Sequence, residues 1–403
     1  MAYPAGTIRA FQYGLAIFAL TALIGLVNAT KIIGNLDQNT LLTHLHSGTL
    51  GWITMGVFGI ALALFARNGS AGPAVSLSAL ATAAYVLAFW SGNFYARAIF
   101  GTVMLATIFG WWAWVGYRSS TEGFGKISNP KIAMLLGLTT LVIGSTVGVI
   151  IQIQLALNAT TPQTGNLIGA HASAQVGGYL VLVATGIIEW YLIGERRTTG
   201  GIVQSVLLFF AGMSLALGQL FDIQPLLLVT NVLQIIATVM VVIRLGPAIL
   251  RTSWAAATGA RYAAIVPLYL VIGVALIVAL VQQVIAANGD ISRVPQGLIH
   301  SLDHTFFVGV MTNTLFGAIL FATADRARTW PWADPLIFWG LNLGVLSFTA
   351  VLVTVGSSTG AAAFSHPVAY TAPIMGLAAL LGIVTFSLRL MEAPAVMRSP
   401  APA

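Results

Sequence analysis

The sequence predicts an all-α fold, a polytopic membrane bundle of about twelve helices, and three observations carry that expectation. Of 403 residues, 58% are hydrophobic and 7% are charged, too few charges to cover a soluble protein of this size. Apolar stretches long enough to cross a bilayer recur along the whole chain. Lysine and arginine collect on alternate connections between them.

The first stretch, about 11–33, begins near Phe11 with no small-residue cleavage site after it, so it reads as a retained helix rather than a signal peptide. The next lie at about 47–67, 73–92, 97–117, 131–157 and 171–193. Six more lie at about 201–220, 225–246, 262–287, 303–323, 334–356 and 368–390. A rise of 1.5 Å per residue makes each long enough for a hydrocarbon core of about 30 Å. Asp222 and Pro225 in LFDIQPLL allow only a very short turn between the seventh and eighth, which leaves a re-entrant pair as an alternative there. No soluble domain interrupts residues 1–403, which read as one transmembrane domain.

Charge sets the expected orientation. The termini and the connections leaving even-numbered helices carry Arg9, Arg67, Arg118, Lys126, Lys131, Arg196, Arg197, Arg244, Arg251, Arg261, Arg326, Arg328, Arg389 and Arg398. The opposite connections carry Lys31, Arg97 and Arg293. Both termini are therefore expected in the cytoplasm, and the net charge of +7 calls for no nucleic-acid partner. The absence of cysteine excludes disulfides, thiolate metal sites, iron–sulfur clusters and covalent haem attachment. A redox centre would need histidine, oxygen or methionine ligands.

The six histidines are His44, His46, His171, His300, His304 and His366. All fall at the expected outer ends of even-numbered helices, where buried imidazoles need a metal, a partner or water. Three openings resemble one another: His46-SGTLGWITMGVFG, His171-ASAQVGGYLVLVATG and His304-TFFVGVMTNTLFG. Each has a glycine five or six residues after the histidine, at Gly51, Gly177 or Gly309. Such a glycine leaves room either for a flat macrocycle or for close helix packing.

Twelve spans with histidines at the outer ends of the second and tenth resemble the catalytic subunits of haem-copper oxidases and nitric oxide reductases. The short chain and its histidine–glycine openings are closer in pattern to NnrS-type haem- and copper-containing membrane proteins. That resemblance implies a b-type haem between helices two and ten, held by His46 or His44 and by His304 or His300, with His46 and His304 the preferred pair. His44 and His46 diverge by about 200° on a helix, so at most one points straight at the ring.

The family's copper centre uses a histidine on helix six, which His171 matches, and a histidine pair on helix seven. Helix seven, GIVQSVLLFFAGMSLALGQL, has none, so oxygen reduction coupled to proton pumping is not expected. His366-PVA-Tyr370 has the spelling of the family's copper motif but precedes helix twelve. A copper ion held by His171, His300 and His366, with His44 as an optional fourth ligand, is the corresponding expectation for a second metal.

Arg97 and Arg293 are candidates to clamp haem propionates, against the alternative of solvated loop cations. Asp303 either orients His304 or caps the helix, and Glu189 either serves proton entry or pairs with Arg196 and Arg197 at a helix end. The function expected from all this is nitric oxide or small-gas redox chemistry or response. A quinol or cytochrome would donate electrons at a bacterial inner membrane, and a homo-oligomer is compatible. The competing readings are a transporter or channel gated at its outer histidines, and a non-catalytic subunit of the same fold.

Overall fold

The structure, a computed structural model, describes residues 3–66, 72–289, 293–326 and 328–392. Within them lie twelve helices long and apolar enough to cross a membrane. The first six are α1 (Ala5–Thr30), α2 (Gln38–Phe65), α3 (Gly72–Trp90), α4 (Phe94–Glu122), α5 (Asn129–Ala156) and α6 (Thr164–Ile193). The rest are α7 (Thr199–Phe221), α8 (Gln224–Leu250), α9 (Gly259–Ala286), α10 (Gln296–Ala322), α11 (Ala333–Thr354) and α12 (Val368–Met391). The chain is thus an all-helical integral membrane protein. At the connection between α7 and α8, Asp222 takes a left-handed φ of 53° and both helices run to full spanning length. Arg67 and Arg398 lie outside the described residues.

Three helices form the centre. In α2, α6 and α10 the apolar windows are 78%, 78% and 83% buried, against 28–56% in the other nine. A helix apolar on every face is stable only where neighbours or lipid surround it, and these three are surrounded by protein. Trp52 of α2 donates to the Thr312 hydroxyl of α10 at 3.1 Å. Tyr179 of α6 donates to the Thr54 hydroxyl of α2 at 3.2 Å.

The bundle repeats one four-helix unit three times. In each unit the first helix packs on the second and the third on the fourth, and α4, α8 and α12 close onto the first helix of the next unit. The repeat holds residue by residue. An added Cβ at Gly51, Gly178 or Gly309 would meet Ile17, Thr140 or Tyr269. At Gly59, Gly186 or Gly317 it would meet Ala10, Ala133 or Tyr262. Both sets have one spacing: 127 and 258 residues on the central helices, 123 and 252 on the helices they touch. The three histidine openings therefore align differently from their spelling. Gly178, not Gly177, matches Gly51 and Gly309, and His171 matches His44 rather than His46.

Each central helix also widens into π-helical turns at the same place, Ser47–Thr54, Ala174–Leu180 and Thr305–Thr312. Such turns are rare and recur near functional sites. Buried ion pairs tie the opposite end of the bundle: Glu189 with Arg244, and Asp334 with Arg389. Glu189 also accepts from Asn129 at 2.8 Å; its cationic partner is Arg244 of α8.

Candidate functional site

The three central helices begin earlier than hydropathy suggests, and at α2 a side-chain cap is the reason. The Asp37 carboxylate accepts from the backbone amides of Asn39 at 2.8 Å and Thr40 at 3.1 Å, and it also accepts from the Thr40 hydroxyl at 2.6 Å. Those bonds satisfy orphan donors of the first turn, so α2 starts at Gln38, well before its apolar run. The Thr40 hydroxyl and these amides hold the Asp37 carboxyl below the usual carboxylate range. α6 and α10 also begin earlier, at Thr164 and Gln296. His44, His46, His171, His300 and His304 consequently sit on formed helix, not at its opening.

Four of these imidazoles are fixed in the same way, by Nδ1 against a backbone carbonyl. His44 Nδ1 lies 2.8 Å from the Thr21 oxygen of α1, and His171 Nδ1 lies 2.7 Å from the Gly144 oxygen of α5. His46 and His304 use the carbonyls one turn back, Leu42 at 2.8 Å and His300 at 2.9 Å. A carbonyl only accepts, so Nδ1 carries the proton and the Nε2 lone pair is left to act. Metal-bound histidines typically have this outer hydrogen bond, which fixes the ring and raises its basicity.

His304 faces His44. The ring centres are 6.5 Å apart with planes 27° from parallel. Imidazoles bonded to one metal ion from opposite sides have centres roughly 6.2 Å apart, twice the sum of a bond of about 2.0 Å and about 1.1 Å to the ring centre. Both rings line a cavity of about 650 Å³ bounded by α1, α2, α10, α11 and α12. Its volume lies in the range of small-molecule and cofactor sites.

The cavity walls are mainly apolar, with Thr21, Asn28, Lys31, His300 and Asp303 among the polar exceptions. Gly25 and Gly48 also line it. A Cβ on Gly25 would stand 2.9 Å from His44 Cε1, so this glycine makes room for the ring. Lys31 caps α1 nearly buried and donates to the Asn28 side chain at 3.0 Å. Burial pushes its ammonium below the usual lysine range, and among the described residues it has no acidic partner.

The remaining expected residues lie elsewhere. His46 stacks on Phe89 of α3, ring centres 3.7 Å apart, and does not share the cavity with His304. The structure thus gives His304 a different opposite ring from the preferred sequence pairing. The 200° divergence of His44 and His46 sends them to two sides of α2. Gly51 and Gly309 are filled by Ile17 and Tyr269, so they serve helix packing. His366 Nδ1 accepts the Val368 amide at 3.2 Å at the start of α12. Tyr370 is exposed and donates to the Phe364 carbonyl at 2.9 Å.

His171, His300 and His366 do not converge: among the described residues no three histidine, cysteine or acidic side chains form a metal-binding group. Arg293 is exposed before α10. Arg97 is only 2% exposed and is no solvated loop cation. It donates to the Asn39 side chain at 2.6 Å and the Phe89 carbonyl at 2.9 Å.

Sequence reading missed Gly25, Gly48 and Lys31. Gly25 and Lys31 follow Thr21, whose carbonyl fixes His44, by one and about three turns, whereas Gly48 lies on α2, where a Cβ would stand 3.1 Å from the Thr21 side chain; that grouping is visible only once α1 is placed against α2. No protein-family model and no curated protein matches the chain.

Proposed function

We propose that the chain is an integral membrane b-type haem protein, with the haem seated between His44 of α2 and His304 of α10 and working in electron transfer linked to nitric oxide or another small gas. The observation that carries this reading is the facing pair of imidazoles at 6.5 Å on one large apolar cavity. Two facing histidines, with no group of three metal-ligating side chains among the described residues, suit a porphyrin, which supplies the other four nitrogens itself, better than a bare ion. The likeness to haem-copper oxidases and NnrS-type proteins adds weight through the use of the second and tenth helices.

The residues have separable tasks. Thr21 and the His300 carbonyl hold the two imidazoles with Nε2 available. Gly25 and Gly48 keep the space beside them free, and Lys31 stands at the cavity edge as a donor for a carboxylate. Haem, when bound by two histidines, exchanges one electron without offering an open position for gas. On this reading gas chemistry requires one histidine to release or a second centre to act, with a quinol or cytochrome as electron donor.

The test is a reduced-minus-oxidised absorption spectrum of the purified full chain. Sharp b-type bands are expected, with loss of a bis-histidine component in His44→Ala and in His304→Ala. A colourless protein that moves protons or cations across liposomes would replace this reading with a transporter.

A further inference from the structure

We propose a second bis-histidine site, between His46 of α2 and His171 of α6, built for a second metalloporphyrin. It rests on the haem reading above and extends it through the threefold repeat.

At the junction of the third and first units, His304 faces His44. Advancing every residue of that junction by one unit turns His44 into His171 and His304 into His46. The surroundings obey the same step. His304 packs on Phe348 of α11 at 4.6 Å, and His46 packs on Phe89 of α3 at 3.7 Å. His44 bonds to the first helix of its unit through Thr21, and His171 does so through Gly144, its counterpart. His304 and His46 each use the carbonyl four residues back. Beneath the rings, Trp52 to Thr312 becomes Tyr179 to Thr54.

A second step of the repeat gives Leu302 opposite Ser173, and Val310 opposite Val181. Metal ligands and polar ties vanish together at that third junction. Two of three related junctions thus keep a histidine on each helix, the same Nδ1 carbonyl partners and the hydroxyl tie, and helix packing alone does not require that coincidence.

Arg97 supplies an independent pointer to an anionic ligand. Its guanidinium lies 4.7 Å over the Phe89 ring that carries His46. It is almost fully buried, its Nε has no hydrogen-bond partner, and among the described residues it has no acidic partner. A buried guanidinium without a counter-charge is costly, and a ligand carboxylate such as a propionate answers both needs. Gln175 stands where the first site has Gly48, and it is drawn back towards Ser145 on α5 at 3.3 Å.

The experiment counts haem per chain by pyridine haemochromogen, with iron, copper and zinc measured on the same full-length protein. The expected result is two haems in the wild type, one in His171→Ala and one in His46→Ala, with imidazole in the buffer restoring the second in both. Arg97→Gln should shift the midpoint potential of the component lost in His171→Ala and leave the other unmoved. One haem, lost in His44→Ala but retained in His171→Ala and His46→Ala, overturns the second site and leaves the first standing. A copper or zinc ion that depends on His171, without a second haem, overturns the porphyrin assignment. No haem at all overturns both sites.

Discussion

Each cavity histidine depends on a residue that the motif does not contain. His44 is held by the Thr21 carbonyl and given space by Gly25, both on α1. Gly25→Ala would put a methyl group 2.9 Å from His44 Cε1, and overpacking of this kind costs about 1–3 kcal/mol. Spent against ligand geometry, that is roughly a 5- to 150-fold loss of cofactor affinity. Titration of the purified apoprotein with haem checks it, and Gly165→Ala, where a Cβ meets nothing within 4 Å, is the control. Equal affinity in the two variants would mean that Gly25 does not serve the ring.

At the same scale, the sequence identifies the residue types and the end of the helices they occupy, since imidazole near apolar segments is conspicuous. It does not reveal which of His44 and His46 faces α10. They are two positions apart, and only the packing of α1 and α3 on opposite sides of α2 separates them. Arg97 shows the same limit: in WSGNFYAR it reads as a loop cation, and burial beneath Asn39 and Phe89 is a tertiary fact.

Among the elements, hydropathy locates all twelve helices but misplaces the starts of the central three. Gln38, Thr40 and His44 depress the apolar average while the Asp37 cap extends the helix through them. The cap is charged, and its carboxyl titrates below its ordinary value mainly through the Thr40 hydroxyl, then the amides. A group with a lowered folded value contributes stability above the unfolded value and loses that contribution as pH falls through the folded one. Amide-exchange protection at Asn39 and Thr40, corrected for intrinsic rates, should therefore be retained at neutral pH and decline on acidification. In Asp37→Ala it should be low throughout; protection independent of both pH and the substitution would show that another contact starts the helix.

In the whole molecule, the three histidine openings resemble one another in spelling, but that spelling gives a different register from the one the helix contacts define. Similar residues are not equivalent positions: the helix after His171 is spelled like the helix after His46, yet His171 occupies the place of His44. Contacts between helices fix the register, because Gly51, Gly178 and Gly309 each receive the matching residue of a neighbouring helix. π-helical turns at the same point of α2, α6 and α10 then bring residues from different units face to face. The site arises between repeats, beyond the reach of any single stretch of sequence.

A density map of the purified full-length protein at side-chain resolution tests the central claim most directly. It should show a flat macrocycle in the cavity, with a metal at bonding distance from Nε2 of both His44 and His304. Lipid or water in that cavity, with the two imidazoles bonded only to protein, would contradict it.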